Sequence, residues 1–385
     1  MKTLRDMPEL KGKRVIVRVD FNVPLDETGN VKNDKRMRQA LPTLQYLLDH
    51  GARQLVLMTH VGRPKNNEPN LKTDKIAKHL EKLIGQPVAK VDGWSGVPET
   101  KIVLLENLRF HPGEKSKIEA ERDAFGRTLA DLADFYVNEA FSNSHRAHAS
   151  MTSVPKFIPG FAGLGVESEV KNIQTALQNP ARPLVAVIGG LKADKLPAIA
   201  YLLGVADHIL VAGALAFALL KGEGISVGAS KIDEEGMTEM AELVAAIQAS
   251  SKVLLPQDAV VADHFAEDAK HQIVPVTAIP DGWMALDIGP KTIARYSDIL
   301  KTAKTILWFG PVGVFEWKPF AEGTRQIAQA MIASKATTIV GGGDSAGAVE
   351  SLGLQDQMTL VSTGGGASLE MIEGKALPAI KILEK

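Results

Sequence analysis

The stretch Leu184–Val185–Ala186–Val187–Ile188–Gly189–Gly190 decides the reading of the fold. Its five unbroken apolar residues fit a strand covered on both faces, and the glycines after them fit a tight turn at its end. The pattern recurs along the chain. In the first half, strands are expected at Arg14–Asp20, Gln54–Thr59, Lys101–Glu106 and Phe135–Asn138. Helical patterns lie between them at Gln39–His50, Thr73–Ile84 and Glu119–Ala133. In the second half, strands are expected at His208–Val211, Thr305–Trp308, Thr337–Val340 and Met358–Ser362. Short apolar strands separated by helices predict parallel sheets with helices on both faces. The expected architecture is α/β: two doubly wound, Rossmann-like parallel-sheet domains joined by a helix, with ligands outside the strand carboxyl ends.

Length and composition agree. The 385 residues suffice for two domains, and 45% hydrophobic with 23% charged residues is a globular composition. A net charge of −1 argues against nucleic acid as a partner, and the absence of cysteine excludes disulfides and thiolate chemistry. The longest apolar run, Ile209 to Leu220, is about twelve residues, too short to cross a bilayer. The first ten residues carry acids and a proline where a signal peptide needs an apolar core, so a cytoplasmic protein is expected.

The joint falls at Glu167–Gln178, where Val170, Ile173 and Leu177 recur at helical spacing and Pro180 and Pro183 follow. The expected domains are 1–166 and 183–374, with 167–182 as connecting helix and linker. Charge divides unevenly: residues 1–170 carry a net +4 and six of the nine histidines.

Those basic groups fall at strand ends. Asp20, Phe21 and Asn22 close the first strand, and Arg36 opens the next helix; His60, Val61, Gly62 and Arg63 follow the second strand. Arg109 follows the third, and His145, Arg146 and His148 the fourth. Strand ends of a parallel sheet share one edge, so these residues converge, and several arginine forks together suit a small phosphorylated acid. The His145–His148 spacing lacks the helical context of a zinc site, and Arg146 between them opposes a cation.

Three glycine clusters follow strands in the second half: Gly189–Gly190, Gly341–Gly343 and Gly364–Gly366. Glycines admit close backbone approach, and helix N-termini offer free N–H groups, so three such junctions indicate a phosphate or nucleotide site. No GxxxxGK[ST] motif occurs, and Gly341–Gly343 is a poor and misplaced match to a dinucleotide fingerprint. Lys192 and Lys195, read as opening a helix, would lie on one face and neutralise a transferring phosphate. An anion site on one domain and a nucleotide site on the other predict a hinge-closing kinase.

The sequence resembles the phosphoglycerate kinase family nearly end to end. The segments that carry the resemblance are Arg18–Pro24, Thr59–Pro64, Leu104–His111, Asn138–Ser150, Gly310–Trp317, Gly341–Ala346 and Ser362–Glu370. The resemblance implies Mg²⁺-dependent, reversible phosphoryl transfer from 1,3-bisphosphoglycerate to ADP, giving 3-phosphoglycerate and ATP, in a monomer. It implies that Asp20, Phe21, Asn22, Arg36, His60, Val61, Gly62, Arg63, Arg109 and Arg146 bind 3-phosphoglycerate. It implies catalytic roles for Arg36, Lys192, Lys195, Gly343 and Gly366, and nucleotide contacts from Lys195, Gly213, Glu316, Gly342, Gly343, Asp344 and Ser345. Asp344 is the implied Mg²⁺ contact, and the tail 375–385 is implied to pack on the first domain.

Four departures fall on the nucleotide side. The segment Gly189–Lys195 is one residue shorter than the family's lysine-pair motif, alanines stand at Ala212 and Ala214 where the family has glycines, Phe309 replaces an Asn, and Ser345 replaces a Thr. The plain reading is family drift with a repacked base pocket; beside it stands the hypothesis that Phe309 stacks on or borders the base and relaxes nucleotide choice. The alternative is a relative that binds 3-phosphoglycerate but transfers poorly.

Overall fold

In each half of the chain, apolar β-branched runs become the central strands, because only a position between two helical layers removes both their faces from water. The computed structural model describes residues 1–384. It divides into two units, one of residues 1–170 with the described residues from Ala376 onward, the other Lys171–Lys375.

The first unit has six strands: β1 (Arg14–Val19), β2 (Gln54–Met58), β3 (Ala89–Lys90), β4 (Ile102–Leu104), β5 (Phe135–Glu139) and β6 (Gly160–Ala162). They form one parallel sheet in the order β3-β4-β2-β1-β5-β6. Register is set by pairs such as Arg14 with Gln54 and Val15 with Phe135. Helices α1 (Lys35–Asp49), α2 (Asp74–Ile84) and α3 (Glu119–Ala130) connect the strands. Leu44 and Leu47 of α1 and Ile76 and Leu80 of α2 enter the same core as Val15, Val17 and Leu57. Helix α4 (Leu164–Gln178) begins three residues before the expected Glu167 and crosses the boundary between the units. The two ends of the described chain meet in the first unit: Thr3 bridges Ala162, and Lys2 N–H donates to Leu383 O at 2.8 Å.

The second unit begins with β7 (Leu184–Ile188), α5 (Leu196–Val205), β8 (His208–Val211), α6 (Gly213–Gly222), α7 (Glu234–Glu239), α8 (Ala241–Gln248) and β9 (Val253–Leu254). It continues with β10 (Asp258–Ala262), β11 (His271–Pro275), β12 (Met284–Ile288), α9 (Pro290–Thr302), β13 (Thr305–Phe309), α10 (Glu322–Ser334) and β14 (Thr337–Gly341). Helix α11 (Gly343–Ser351), β15 (Leu360–Val361) and α12 (Gly366–Ile372) complete it, and α13 (Pro378–Lys381) lies in the returning tail. Its main sheet is parallel, in the order β15-β14-β13-β7-β8-β9.

A third, antiparallel sheet, β11-β10-β12, corrects the expectation of two sheets. Its outer strand reads His271–Gln272–Ile273–Val274–Pro275 and is largely exposed. Such a strand needs only one covered face, so it lacks the continuous apolar run that marked the others. Strands β4 and β15 are also shorter than Lys101–Glu106 and Met358–Ser362.

Candidate active site

Asp20 lies just past β1, 8% exposed, and its Oδ2 accepts from Arg36 Nη1 at 3.0 Å and from Ser142 Oγ at 2.5 Å. Arg36 stands in the first turn of α1, where the positive end of the helix dipole opposes a cation. Asp20 offsets that repulsion and holds the guanidinium at the strand edge. Asn22 joins the neighbouring strand end by accepting Gly62 N–H at 2.8 Å on its Oδ1. Asn107 braces the next loop, its Oδ1 accepting Val61 N–H and Arg109 N–H, each at 3.1 Å.

His60 is 3% exposed beneath these loops. Burial holds its pKa well below the ordinary 6.5, and Arg18, Arg109, His148 and Arg146 push it further down. His148 is lowered to about 3, first by burial and then by Arg18, Arg109 and Arg146. Burial, Arg146 and Arg18 lower Arg109 to about 10, with Arg63 adding to the effect. These mutual repulsions place the basic groups that follow β2, β4 and β5 together above Arg18 of β1. A cluster that suppresses its own histidines has room for an anion's charge. The Nε of Arg109 is buried with no hydrogen-bond partner among the described residues.

Beneath the cluster runs a network that the sequence did not disclose. Arg18 and Glu114 are both fully buried. Arg18 Nε donates to Ser150 Oγ at 3.0 Å, Ser150 Oγ donates to Glu114 Oε1 at 2.7 Å, and Ser150 N–H donates to Glu114 Oε2 at 3.0 Å. Arg18 Nη2 lies 2.9 Å from His60 Nδ1. A guanidinium can only donate, so Nδ1 accepts and the proton of neutral His60 sits on Nε2. An inward charge in a strand pairs with residues far along the chain, and no local spacing announces it.

Two expected contacts are not available as side chains. Phe21 and Val61 are 0% and 1% exposed and belong to the core, and their N–H groups are engaged by Thr59 Oγ1 and Asn107 Oδ1. They set the course of the loops. Arg63 and Arg146 are exposed.

In the second unit, three strand ends meet through bare backbone. Gly190 N–H donates to Pro311 O at 2.9 Å, Gly213 N–H donates to Val312 O at 2.9 Å, and Gly189 N–H donates to Phe309 O at 2.8 Å. A Cβ on Gly213, at φ +61°, would sit 2.6 Å from Gly190 N, and one on Gly310 would sit 2.1 Å from Gly189 O. Only glycine permits these crossings. Beside them lies a cavity of about 240 Å³, lined by Gly190, Gly213, Ala214, Phe217, Pro311 and Val312 among others. Its predominantly apolar wall with a backbone-built edge suits a flat heterocycle.

Several readings of this half are corrected. Lys192 is extended and lies outside any helix, followed by a 3₁₀ turn, Ala193–Lys195, so the two lysines do not share a helical face. Lys195 is the lysine at the glycine turn: its side chain is 18% exposed and its ammonium lies beside Gly190. Lys192 is exposed. Phe309 is 2% exposed and absent from the cavity wall; its ring covers Gly341, where a Cβ would fall 1.9 Å from Cε1. Strand alternation turns Phe309 away from the cavity, so it neither stacks on nor borders a base there. Ala212 is likewise buried in the core, and only Ala214 adds a methyl to the wall. Ser345 is fully buried, its Oγ accepting Gly310 N–H at 2.6 Å, so this hydroxyl braces a turn.

Gly343 and Asp344 stand exposed in the first turn of α11, and Gly366 stands exposed at the start of α12. Both helices follow adjacent parallel strands, β14 and β15, and so present free N–H groups along one sheet edge. Gly342, with φ +93°, caps α11. Glu316 is exposed in the loop after β13 and does not line the cavity.

A family model described as phosphoglycerate kinase matches residues 4–375. A phosphoglycerate kinase of Moorella thermoacetica is 48% identical over 99% of this chain and 98% of its own length. One of Rubrobacter xylanophilus is 46% identical with the same coverage. The solved phosphoglycerate kinase of Coxiella burnetii superposes with a TM-score of 0.88 at 38% identity, over 99% of this chain and 98% of that one. That of Pyrococcus horikoshii gives 0.85 at 29% identity, over 100% and 98%.

Proposed function

From the premise that the chain belongs to the phosphoglycerate kinase family, we infer how its own residues divide the work of reversible phosphoryl transfer between 1,3-bisphosphoglycerate and ADP. The phosphoryl donor is an activated acyl phosphate, so no covalent enzyme intermediate is needed, and positioning with charge neutralisation supplies the catalysis. That requirement matches a site with many cations and no paired nucleophile and base.

The observation that carries the assignment of the acid substrate is the convergence of Arg18, Arg109, Arg146 and His148 on buried His60. In this reading Arg63, Arg109 and Arg146 take the phosphate and carboxylate oxygens of 3-phosphoglycerate. His60 donates from Nε2, its tautomer fixed by Arg18. Asn22 and Gly62 hold the two loops at the correct separation. Arg36, oriented by Asp20, faces the migrating phosphoryl group and stabilises its equatorial oxygens.

ATP and ADP occupy the second unit, with the base in the 240 Å³ cavity and phosphates toward Lys195, Gly343 and Gly366. Glu316 is assigned to the ribose and exposed Lys192 to incoming phosphate charge. Among the described residues, no group of three or more acids or histidines is placed to hold a metal. Magnesium characteristically takes one or two carboxylates together with substrate phosphates, so Asp344, solvent-exposed at the phosphate-facing helix end, fits that role. When bound, the ion neutralises charge on the nucleotide phosphates. The reading includes a cytoplasmic monomer whose units close during turnover, because direct transfer competes with hydrolysis unless water is excluded.

The test is steady-state turnover of 3-phosphoglycerate with MgATP, beside Arg36→Ala. A loss of roughly 10³-fold or more in kcat is expected for an arginine acting on the transferring group. Turnover retained within a few-fold would remove Arg36 from that role.

A further inference from the structure

The wall of the second unit's cavity contains two charged side chains, Lys231 and Asp287. Asp287 is 1% exposed and already engaged: Oδ1 accepts Ile288 N–H at 2.9 Å, and Oδ2 accepts Gly323 N–H at 2.7 Å. Lys231 is different. Its ammonium lies 4.0 Å above the Phe265 ring, which packs at 4.5 Å on Trp317. Lys231 is exposed at the mouth of the cavity, and no ion pair or hydrogen bond joins it to any described residue. Four backbone donors of the same wall are engaged, Gly190 and Gly213 by carbonyls across the crossing, Val314 by Leu286 O and Ala285 by Ser230 Oγ. Phe265 and Leu191 are 45% and 43% exposed at the rim, apolar surface that a flat ring would cover.

We propose that Lys231 sets the choice of nucleobase and favours 6-oxopurines, guanine and hypoxanthine, over adenine. The inference rests on the reading of this cavity as the base site. An ammonium donates and never accepts. Guanine and hypoxanthine present adjacent acceptors, O6 and N7, to such a group. Adenine presents N7 beside an amino group whose hydrogens repel a cation. The discrimination comes from the pairing itself: against a 6-oxopurine the ammonium meets two acceptors, against adenine one acceptor beside amino hydrogens. Phe265 holds the ammonium over its face by cation–π attraction, which pre-orders a flexible side chain.

The test measures kcat/KM of the full chain with 3-phosphoglycerate and ATP, GTP or ITP, for wild type, Lys231→Met and Lys231→Arg. In Lys231→Met the GTP/ATP and ITP/ATP ratios are expected to fall together by about 10-fold, through nucleotide KM with kcat little changed. Lys231→Arg should retain the wild-type ratios. Unchanged ratios in Lys231→Met would overturn the proposal. A change for GTP alone would also overturn it, because ITP carries the same O6 and N7 without the 2-amino group. Ala214→Trp, which fills the cavity, separates the two levels: its nucleotide KM should rise for all three. If Ala214→Trp leaves every nucleotide KM unmoved, the base-site reading itself fails.

Discussion

Replacing His148 by Gln is expected to flatten the acid limb of the stability profile. In the native protein the His148 imidazole titrates at about 3, against an ordinary 6.5, because burial and three arginines disfavour its cation. A histidine with a lowered native pKa binds fewer protons folded than unfolded. Its stabilisation is therefore complete above pH 6.5 and is lost as pH falls toward 3. Between pH 7.5 and pH 5.0 the gap corresponds to a loss of ~2 kcal/mol from this residue alone. His60 is shifted in the same direction and steepens the wild-type fall. Urea unfolding of both proteins at the two pH values measures the difference. The variant should lose less stability than wild type by about 2 kcal/mol. Added 3-phosphoglycerate should also shrink the wild-type loss, since an anion offsets the repulsion from Arg18, Arg109 and Arg146. Equal acid losses in wild type and variant would refute a neutral, charge-suppressed His148.

Gly213→Ala forces a side chain into φ +61° and places its Cβ 2.6 Å from Gly190 N. Stability should fall by ~1–2 kcal/mol, and separate KM measurements should show weaker nucleotide binding with 3-phosphoglycerate affinity kept. Phe309→Asn removes a buried ring from above Gly341, so denaturant unfolding should show a loss of ~3 kcal/mol. Its preference among ATP, GTP and ITP should match wild type, because Phe309 does not reach the cavity.

The parallel sheets were legible because strands such as Leu184–Ile188 and Gln54–Met58 are buried at every position and leave unbroken apolar runs, Leu184 to Ile188 and Leu55 to Met58. The sheet formed by β10, β11 and β12 was not, since β11 carries His271 and Gln272 into solvent. Likewise, Arg36, Arg63, Arg109 and Arg146 announced themselves by standing at strand ends. Arg18 stands inside β1, and its partner Ser150 lies 132 residues away. Such a pairing exists only after the sheet forms. The misreading of Phe309 has the same origin: its position beside the nucleotide-side glycines was visible, but the face toward which a terminal strand residue points was not. Lys192 and Lys195 show the limit of spacing arguments, because a helix angle has no meaning where the chain is extended.

The contacts of Lys2 with Leu383, and of Ala379 N–H with Ser144 O, have a consequence for biosynthesis. A nascent chain emerges in order, at roughly 5–20 residues per second, so Lys171–Lys375 appears after the first 170 residues and before the segment that completes their unit. For on the order of tens of seconds the first unit lacks α13 and the hydrogen bond that draws Lys2 into place. Ala140 and Met151 are meanwhile without Ala379, the residue that joins them in one small apolar cluster. The unit translated second can therefore reach its final structure first.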